Sequence, residues 1–181
     1  MLLPYFKISV CTFLIAGLLP SCNPNHPEQG KNNHASAFNQ DSVKKQFIKA
    51  NKKLIQKEND EMDYYAKSHQ MPFVKTTSGI RYFVYKPSAK GDSIRDSSLI
   101  TIDYKVSLLN GTECYSSEKD GAKTFVVGHE NIESGIHKGV QYLKRGDKAL
   151  ILIPSHLAHG LLGDFKKIPP QMPIVYDIYI H

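Results

Sequence analysis

The sequence predicts an α+β fold: one antiparallel sheet wrapped on a short helix, with a longer helix ahead of it. Three observations carry this. From Phe73 onward the chain is a series of short runs rich in β-branched and aromatic residues, separated by turn residues. One stretch, Ile132 to Leu143, places apolar residues at 132, 136, 140 and 143, the spacing of a single short helix. Gly146 to Pro173 reads as a turn, a buried strand and a long loop marked by glycines and prolines, and a closing strand follows. About a hundred residues are enough for one core.

Residues 1–21 read as a lipoprotein signal peptide. Lys7 is the only charge before Glu28, and Ile8 to Leu19 is apolar. About a dozen residues is the length of a signal-peptide core and short for a membrane span. Leu19-Pro20-Ser21-Cys22 follows and resembles a bacterial lipobox, which makes Cys22 the lipid attachment site. The other reading is an ordinary secretory signal with an incidental cysteine. Residues 22–39, rich in Asn, Pro, His and Gly, read as a flexible tether. The location this implies is a cell-envelope lipoprotein, on the periplasmic face of the outer membrane. With Cys11 leaving in the signal and Cys22 carrying lipid, Cys114 has no partner for a disulfide.

Residues 40–72 are predicted as a helix. Asp41-Ser42 reads as its cap, and Val43, Phe47, Ala50, Leu54, Glu58, Met62 and Tyr65 follow at roughly helical spacing, a thin apolar stripe. The first part holds Lys44, Lys45, Lys49, Lys52, Lys53 and Lys57. The second holds Glu58, Asp60, Glu61 and Asp63, where acid opposes the helix dipole. Such a helix needs packing, on its own domain or on a partner, and a homodimer through it is one outcome. The basic run is either a solvated face or a contact for anionic headgroups. The net charge of +6, without interleaved aromatics, does not indicate nucleic acid.

Residues 73–181 form the main domain. Gly79–Tyr85 and Ser98–Leu108 alternate in polarity and read as strands. Asn110-Gly111 is a hairpin turn signal. Thr124–Gly128 is a further short strand. The turn Arg145-Gly146-Asp147 opens a buried strand, Lys148 to Ile153, and Pro154 ends it, because proline cannot donate to a ladder. The loop beyond is pinned by Ile168-Pro169-Pro170 and leads to a last strand, Ile174–Ile180. A long loop held at both ends is a natural site for binding residues.

These landmarks, from about Thr77 to Ile180, resemble the FKBP-type peptidyl-prolyl isomerases. They are Ser78-Gly79-Ile80-x-Tyr82, Ile102-x-Tyr104, Leu109-Asn110-Gly111-Thr112 with Ser116-Ser117, and Ile132-x-x-Gly135-Ile136-x-x-Gly139-Val140. Gly146-Asp147-Lys148-Ala149 with Ile153-Pro154, Ala158-His159-Gly160 and Ile168-Pro169-Pro170 complete them. With the lipobox and the helix, the chain is similar to the gliding-motility-associated FKBP lipoproteins of Bacteroidetes. The resemblance implies an FKBP-like sheet around a pocket floored by the short helix, and rotation of X–Pro amides in proline-containing polypeptides. It implies no metal and no cofactor. Tyr104, Tyr115, Ile132, Ile136, His159 and Tyr176 would be the catalytic positions, and Cys114, Phe125 and Ile168 would contact substrate.

The chain departs from the family pattern at three places. Many active members carry Phe-Asp where this chain has Cys114-Tyr115, so an apolar wall and a carboxylate are expected to be missing. His159 stands for the usual tyrosine and Ile136 for the usual floor tryptophan. These changes leave a second reading open, a non-catalytic chaperone or scaffold at the membrane. Two other site chemistries fit less well. His156 and His159, with His129 and His137 upstream, lack cysteine or carboxylate at ligand spacing. Cys114 lacks the pattern of a cysteine nucleophile.

Overall fold

A computed structural model describes residues 40–181. The expected signal peptide, lipid site Cys22 and tether lie outside the described residues. The described residues open with helix α1 (Gln40–Ser68) and then run through strands β1 (Val74–Lys75), β2 (Arg81–Lys86), β3 (Leu99–Leu108) and β4 (Glu113–Ser116). A single helical turn, α2 (Ser117–Asp120), and strand β5 (Lys123–Val126) follow. Helix α3 (Ser134–Gly139) continues into a 3₁₀ turn, Val140–Tyr142. Strands β6 (Lys148–Ile153) and β7 (Ile174–Ile180) close the fold.

All strand pairs are antiparallel, in the order β1-β2-β6-β7-β3-β4. Along its free edge β3 takes two partners in succession. Leu99–Ile102 pair with β5, and Lys105–Ser107 pair with β4. Between them, opposite Tyr104, the ladder is broken by α2, and the Tyr104 N–H donates to Ser117 Oγ at 3.1 Å. The β3–β4 turn is the expected one. Gly111 adopts φ 87°, which only glycine takes without strain, and Thr112 N–H is held by Asn110 Oδ1 at 3.0 Å.

The sheet buries both faces, which explains why β6 reads as an unbroken apolar run. Ile151 and Ile153 face α3 in the main core, beside Ile80, Ile102, Val127, Ile136 and Ile178. Leu152 and Val175 face the other way and pack on Met62 of α1. Helix α3 lies close against β6 because Gly135 and Gly139 stand at the contact. A Cβ on Gly135 would collide with Ile153 Cγ2 and lie 2.9 Å from the Leu157 carbonyl oxygen.

Only the second half of α1 is docked. Glu58 and Met62 are its buried residues. Arg81, 1 % exposed, reaches into α1. It donates to Asp63 Oδ1 at 2.7 Å and to the Asn59 carbonyl at 3.1 Å, and its ion pair with Asp63 is 2.6 Å. Burial raises the Asp63 carboxyl, but the hydrogen bonds from Arg81 and Lys75 outweigh it, so the net shift is downward.

Three sequence expectations change here. Helix α1 ends at Ser68, before residue 72, because Gln70 turns into the left-handed region at φ 54° ahead of Pro72. Asp41 and Ser42 lie inside the first turn and do not precede it, and Lys67 occupies the last turn, so the acidic run lies well inside the helix. The two-residue β1 and the short β4 carry too little alternation to be read from sequence.

Candidate active site

A cavity of about 400 Å³ opens between the break in the β3 edge and the N-terminal end of α3. Its walls come from six elements. Ile102, Tyr104 and Val106 project from β3, and Tyr176 projects from β7 beside them. Phe125 enters from β5, and Ile136 forms the floor from α3, with Ile132 just ahead of that helix. Tyr115 closes one side from β4, and the loop after β6 supplies His159. Period-two alternation puts 102, 104 and 106 on one face. The Tyr104 and Tyr176 rings stand 6.3 Å apart at 44°. Phe125, Ile136 and Tyr176 are all at most 5 % exposed, so the bottom of the cavity is walled by buried, largely apolar side chains.

Two carboxylates define its polar edges. Glu133 precedes α3, and its Oε1 lies 3.1 Å from His159 Nε2. That nitrogen is shielded from solvent yet has no aligned hydrogen-bond partner among the described residues. Burial, followed by the charge and hydrogen bond of Glu133, holds the Tyr176 phenol well above its ordinary value. Burial also raises Tyr104. All these hydroxyls stay protonated donors at neutral pH.

Asp164 defines the opposite edge. Its carboxylate accepts the Tyr115 hydroxyl. Its Oδ1 also accepts the backbone N–H groups of Lys166, Lys167 and Ile168 at 2.8, 2.9 and 2.8 Å. Burial opposes ionisation there, but the Tyr115 bond and the three backbone donors prevail and bring the carboxyl down to about 2. In return Asp164 pushes Tyr115 up to about 12, first through the hydrogen bond. Asp120, Lys123 and Lys166 complete a charged mouth.

The structure thus brings Tyr104, Tyr115, Phe125, Ile132, Ile136, His159 and Tyr176 to one cavity. Cys114 and Ile168 are not in its lining. Both are core residues, 2 % and 3 % exposed, because Cys114 points to the other side of β4 from Tyr115. Cys114 Sγ lies 3.7 Å from the Lys167 carbonyl, beneath the loop. The expectation of a missing carboxylate also changes, since Asp164 supplies one to the Tyr115 edge from a different strand of sequence. Glu133 and Asp164 were not found from sequence. The one signal was Asp164 in a glycine-bounded loop, where Asp commonly binds its own backbone. The four histidines do not assemble. His137 is buried and accepts the Gly128 N–H at 2.8 Å, His129 and His156 are exposed, and His159 is at the cavity.

A curled antiparallel sheet that grips an aromatic cavity against a short helix defines a class of α+β domains. The model of the FKBP-type peptidyl-prolyl cis-trans isomerase domain matches residues 91–181. The chain belongs to that family. Among characterised relatives, the FKBP-type peptidyl-prolyl cis-trans isomerase FkpA of Buchnera aphidicola (subspecies Acyrthosiphon pisum) is 32 % identical over 104 residues, 58 % of this chain. The match spans 42 % of that protein, so the chain corresponds to under half of its relative's length. Of solved structures, AtFKBP13 superposes with a TM-score of 0.56 at 25 % identity, covering 59 % of this chain and 94 % of that one. FkpA from Escherichia coli superposes with a TM-score of 0.58 at 24 % identity, covering 77 % and 67 %. That second likeness concerns the fold.

Proposed function

We propose that this protein is a peptidyl-prolyl cis-trans isomerase acting on proline-containing polypeptides during the folding of exported proteins. The aromatic cavity, with His159 paired to Glu133 at its edge, supports this reading most directly. An amide C–N bond resists rotation by ~18–20 kcal/mol because resonance gives it partial double-bond character. For X–Pro the two planar isomers are close in energy, so rotation is the only barrier. The planar amide is polar and water stabilises it. The twisted amide has lost resonance and is less polar. A site that seats the proline ring on Ile136 between Tyr104, Phe125 and Tyr176 withholds that water and so favours the twisted form. His159 Nε2 is placed to donate to the substrate carbonyl once it leaves Glu133, and the Tyr115 hydroxyl lines the opposite edge.

The test is turnover of a short proline peptide. The parent should accelerate isomerisation, and Ile136→Ser should lower kcat/KM about tenfold, or ~1.4 kcal/mol, with an unchanged circular dichroism spectrum. A folded Ile136→Ser variant with parental turnover would place the site elsewhere. A parent that binds proline peptides without accelerating them would support the non-catalytic chaperone reading.

Membrane attachment belongs to the same proposal. Lipid on Cys22 would hold the domain at the envelope, on the periplasmic face of the outer membrane, in the manner of the Bacteroidetes lipoproteins. The exposed first half of α1 would be the surface for pairing with a second copy. Cys22→Ser should leave the precursor uncleaved or move the protein to the soluble fraction. Unaltered processing and fractionation would remove the anchor.

A further inference from the structure

The positive charge of this chain is gathered on one helix. Residues 42–57 hold six of its 23 Lys and Arg and none of its 17 Asp and Glu. The rest of the sequence, with 17 of each sign, is balanced, so this stretch carries the whole net charge of +6. The helix sets the lysines in order. Lys45, Lys49, Lys53 and Lys57 follow at four-residue steps with Lys52 beside them, so they form one row along α1. Like charges at this spacing repel and weaken a helix. Lys57 has an acid to answer it, Glu61 at 3.6 Å. Lys45, Lys49, Lys52 and Lys53 are exposed and have no ion pair among the described residues.

The row faces away from the domain. At about 100° per residue, these four lysines centre roughly 150° around α1 from Glu58 and Met62, which dock on the domain. The acids farther along the same side are already engaged. Asp60 accepts Gln56 Nε2 at 2.8 Å, and Asp63 pairs with Arg81 and Lys75. From Lys45 to Lys57 the row runs ~18 Å at 1.5 Å per residue. Cations strung along a convex rod do not converge on one small anion. They match an extended anionic surface. A bilayer is the surface within reach, because Cys22, the expected lipid site, precedes Gln40 by 18 residues, which span at most ~65 Å. Tethering of this kind raises the local concentration of the helix at the membrane. Anionic headgroups then attract it within about a Debye length, ~8–10 Å.

We propose that Lys45, Lys49, Lys52 and Lys53 form an electrostatic docking face for an anionic phospholipid surface, along which α1 lies. The proposal rests on the membrane location read for this protein, with Cys22 delivering the helix and the lysines setting how it lies. The orientation follows from the layers of the fold. α1 packs on one face of the sheet through Leu152 and Val175, and α3 with the cavity is on the other. With the lysines against the headgroups, the cavity is held on the side away from the lipid, where exported chains can enter it. The apolar stripe through Phe47 and Leu54 belongs to a different side of α1 and remains for a second copy.

The experiment uses the full chain and its sedimentation with vesicles in about 0.1 M salt. One set of vesicles is phosphatidylcholine alone, and the other contains about one-third phosphatidylglycerol. The reading is the ratio of the two affinities, in which the contribution of lipid on Cys22 or of an apolar leader cancels. The parent should prefer the anionic vesicles at least tenfold, and about 0.5 M salt should bring that preference below threefold. Lys45→Gln, Lys49→Gln, Lys52→Gln and Lys53→Gln in one chain keep good helix formers and should bring it below threefold at the lower salt. The same four positions changed to arginine keep the charge and should stay within threefold of the parent's ratio. A parent preference below threefold, or a glutamine variant with the parent's ratio, overturns the docking face. So does an equal phosphate concentration of DNA duplex that strips the parent from anionic vesicles, because the row would then serve a nucleic acid. A tenfold preference in a protein whose processing and fractionation Cys22→Ser leaves unaltered keeps the docking face and removes the anchor.

Discussion

At residue scale the pair Cys114-Tyr115 marks the difference between this cavity and the family pattern. In projection the cysteine looks like a wall that has been lost. In three dimensions it is a core residue under the loop, and its neighbour Tyr115 faces the cavity and binds Asp164. The Tyr115–Asp164 pair makes a testable statement about Cys114→Phe with Tyr115→Asp, which restores the common residues. A phenylalanine at 114 has no space and overpacks the core. An aspartate at 115 faces Asp164 and replaces a hydrogen bond with repulsion. The double variant should lose ~2–4 kcal/mol in urea denaturation at pH 7. The pH dependence has a defined sign. A carboxyl held at about 2 in the folded chain stabilises it above the unfolded value near 4, and that contribution is lost as pH falls from about 4 to about 2. The stability gap between parent and variant should therefore narrow over that range. A variant as stable as the parent at pH 7 would mean that Cys114 and Tyr115 are not packed and bonded in this way.

At element scale, most of the fold was legible in the sequence for identifiable reasons. β3, β6 and β7 carry long apolar or alternating runs, so Lys148–Ile153 and Ile174–Ile180 are found at their observed bounds. Gly135 and Gly139 were visible in the sequence only as landmarks of the family resemblance; the structure supplies their reason, because a helix seated within contact distance of Ile151 and Ile153 has no room for a Cβ. β1 and β4 were not legible, since two and four residues leave no period to read, and their pairing is set by β2 and β3. Tyr104, Phe125, Ile136 and Tyr176 on strands and α3, and Ile132 and His159 on loops, were legible through the family resemblance and not through periodicity. The two loop carboxylates and the facing of β4 were not. Which side of β4 faces the cavity depends on register, and a shift of one residue exchanges Cys114 for Tyr115. Glu133 and Asp164 reach the site through chain reversals that leave no periodic trace.

At the scale of the whole molecule, α1 is two different objects in one helix. From Glu58 onward it belongs to the domain. Glu58 is 2 % exposed, and its carboxylate accepts the Ser155 N–H at 2.9 Å and the Ser155 hydroxyl at 2.5 Å. Ser155 opens the turn Ser155–Leu157, which leads within four residues to His159 at the cavity. The helix on one face of the sheet is thereby fastened to the loop that builds the site on the other. Residues 44–53 of α1, by contrast, are exposed throughout and make no ion pair with the domain among the described residues. Two truncations of contact should therefore behave differently. Glu58→Ala removes the acceptor and leaves a buried N–H and hydroxyl unsatisfied, at a cost of ~3 kcal/mol, and Glu58→Gln should recover part of it. A chain beginning at Ile55 keeps every contact just named and should unfold within ~0.5 kcal/mol of the parent. Thermal denaturation of the three variants against the parent measures the difference, and hydrogen exchange at the Ser155 amide localises it: protection should fall in Glu58→Ala and persist in the shortened chain. If the shortened chain lost as much stability as Glu58→Ala, residues 40–54 would have to pack on the domain, and α1 would be a single structural unit.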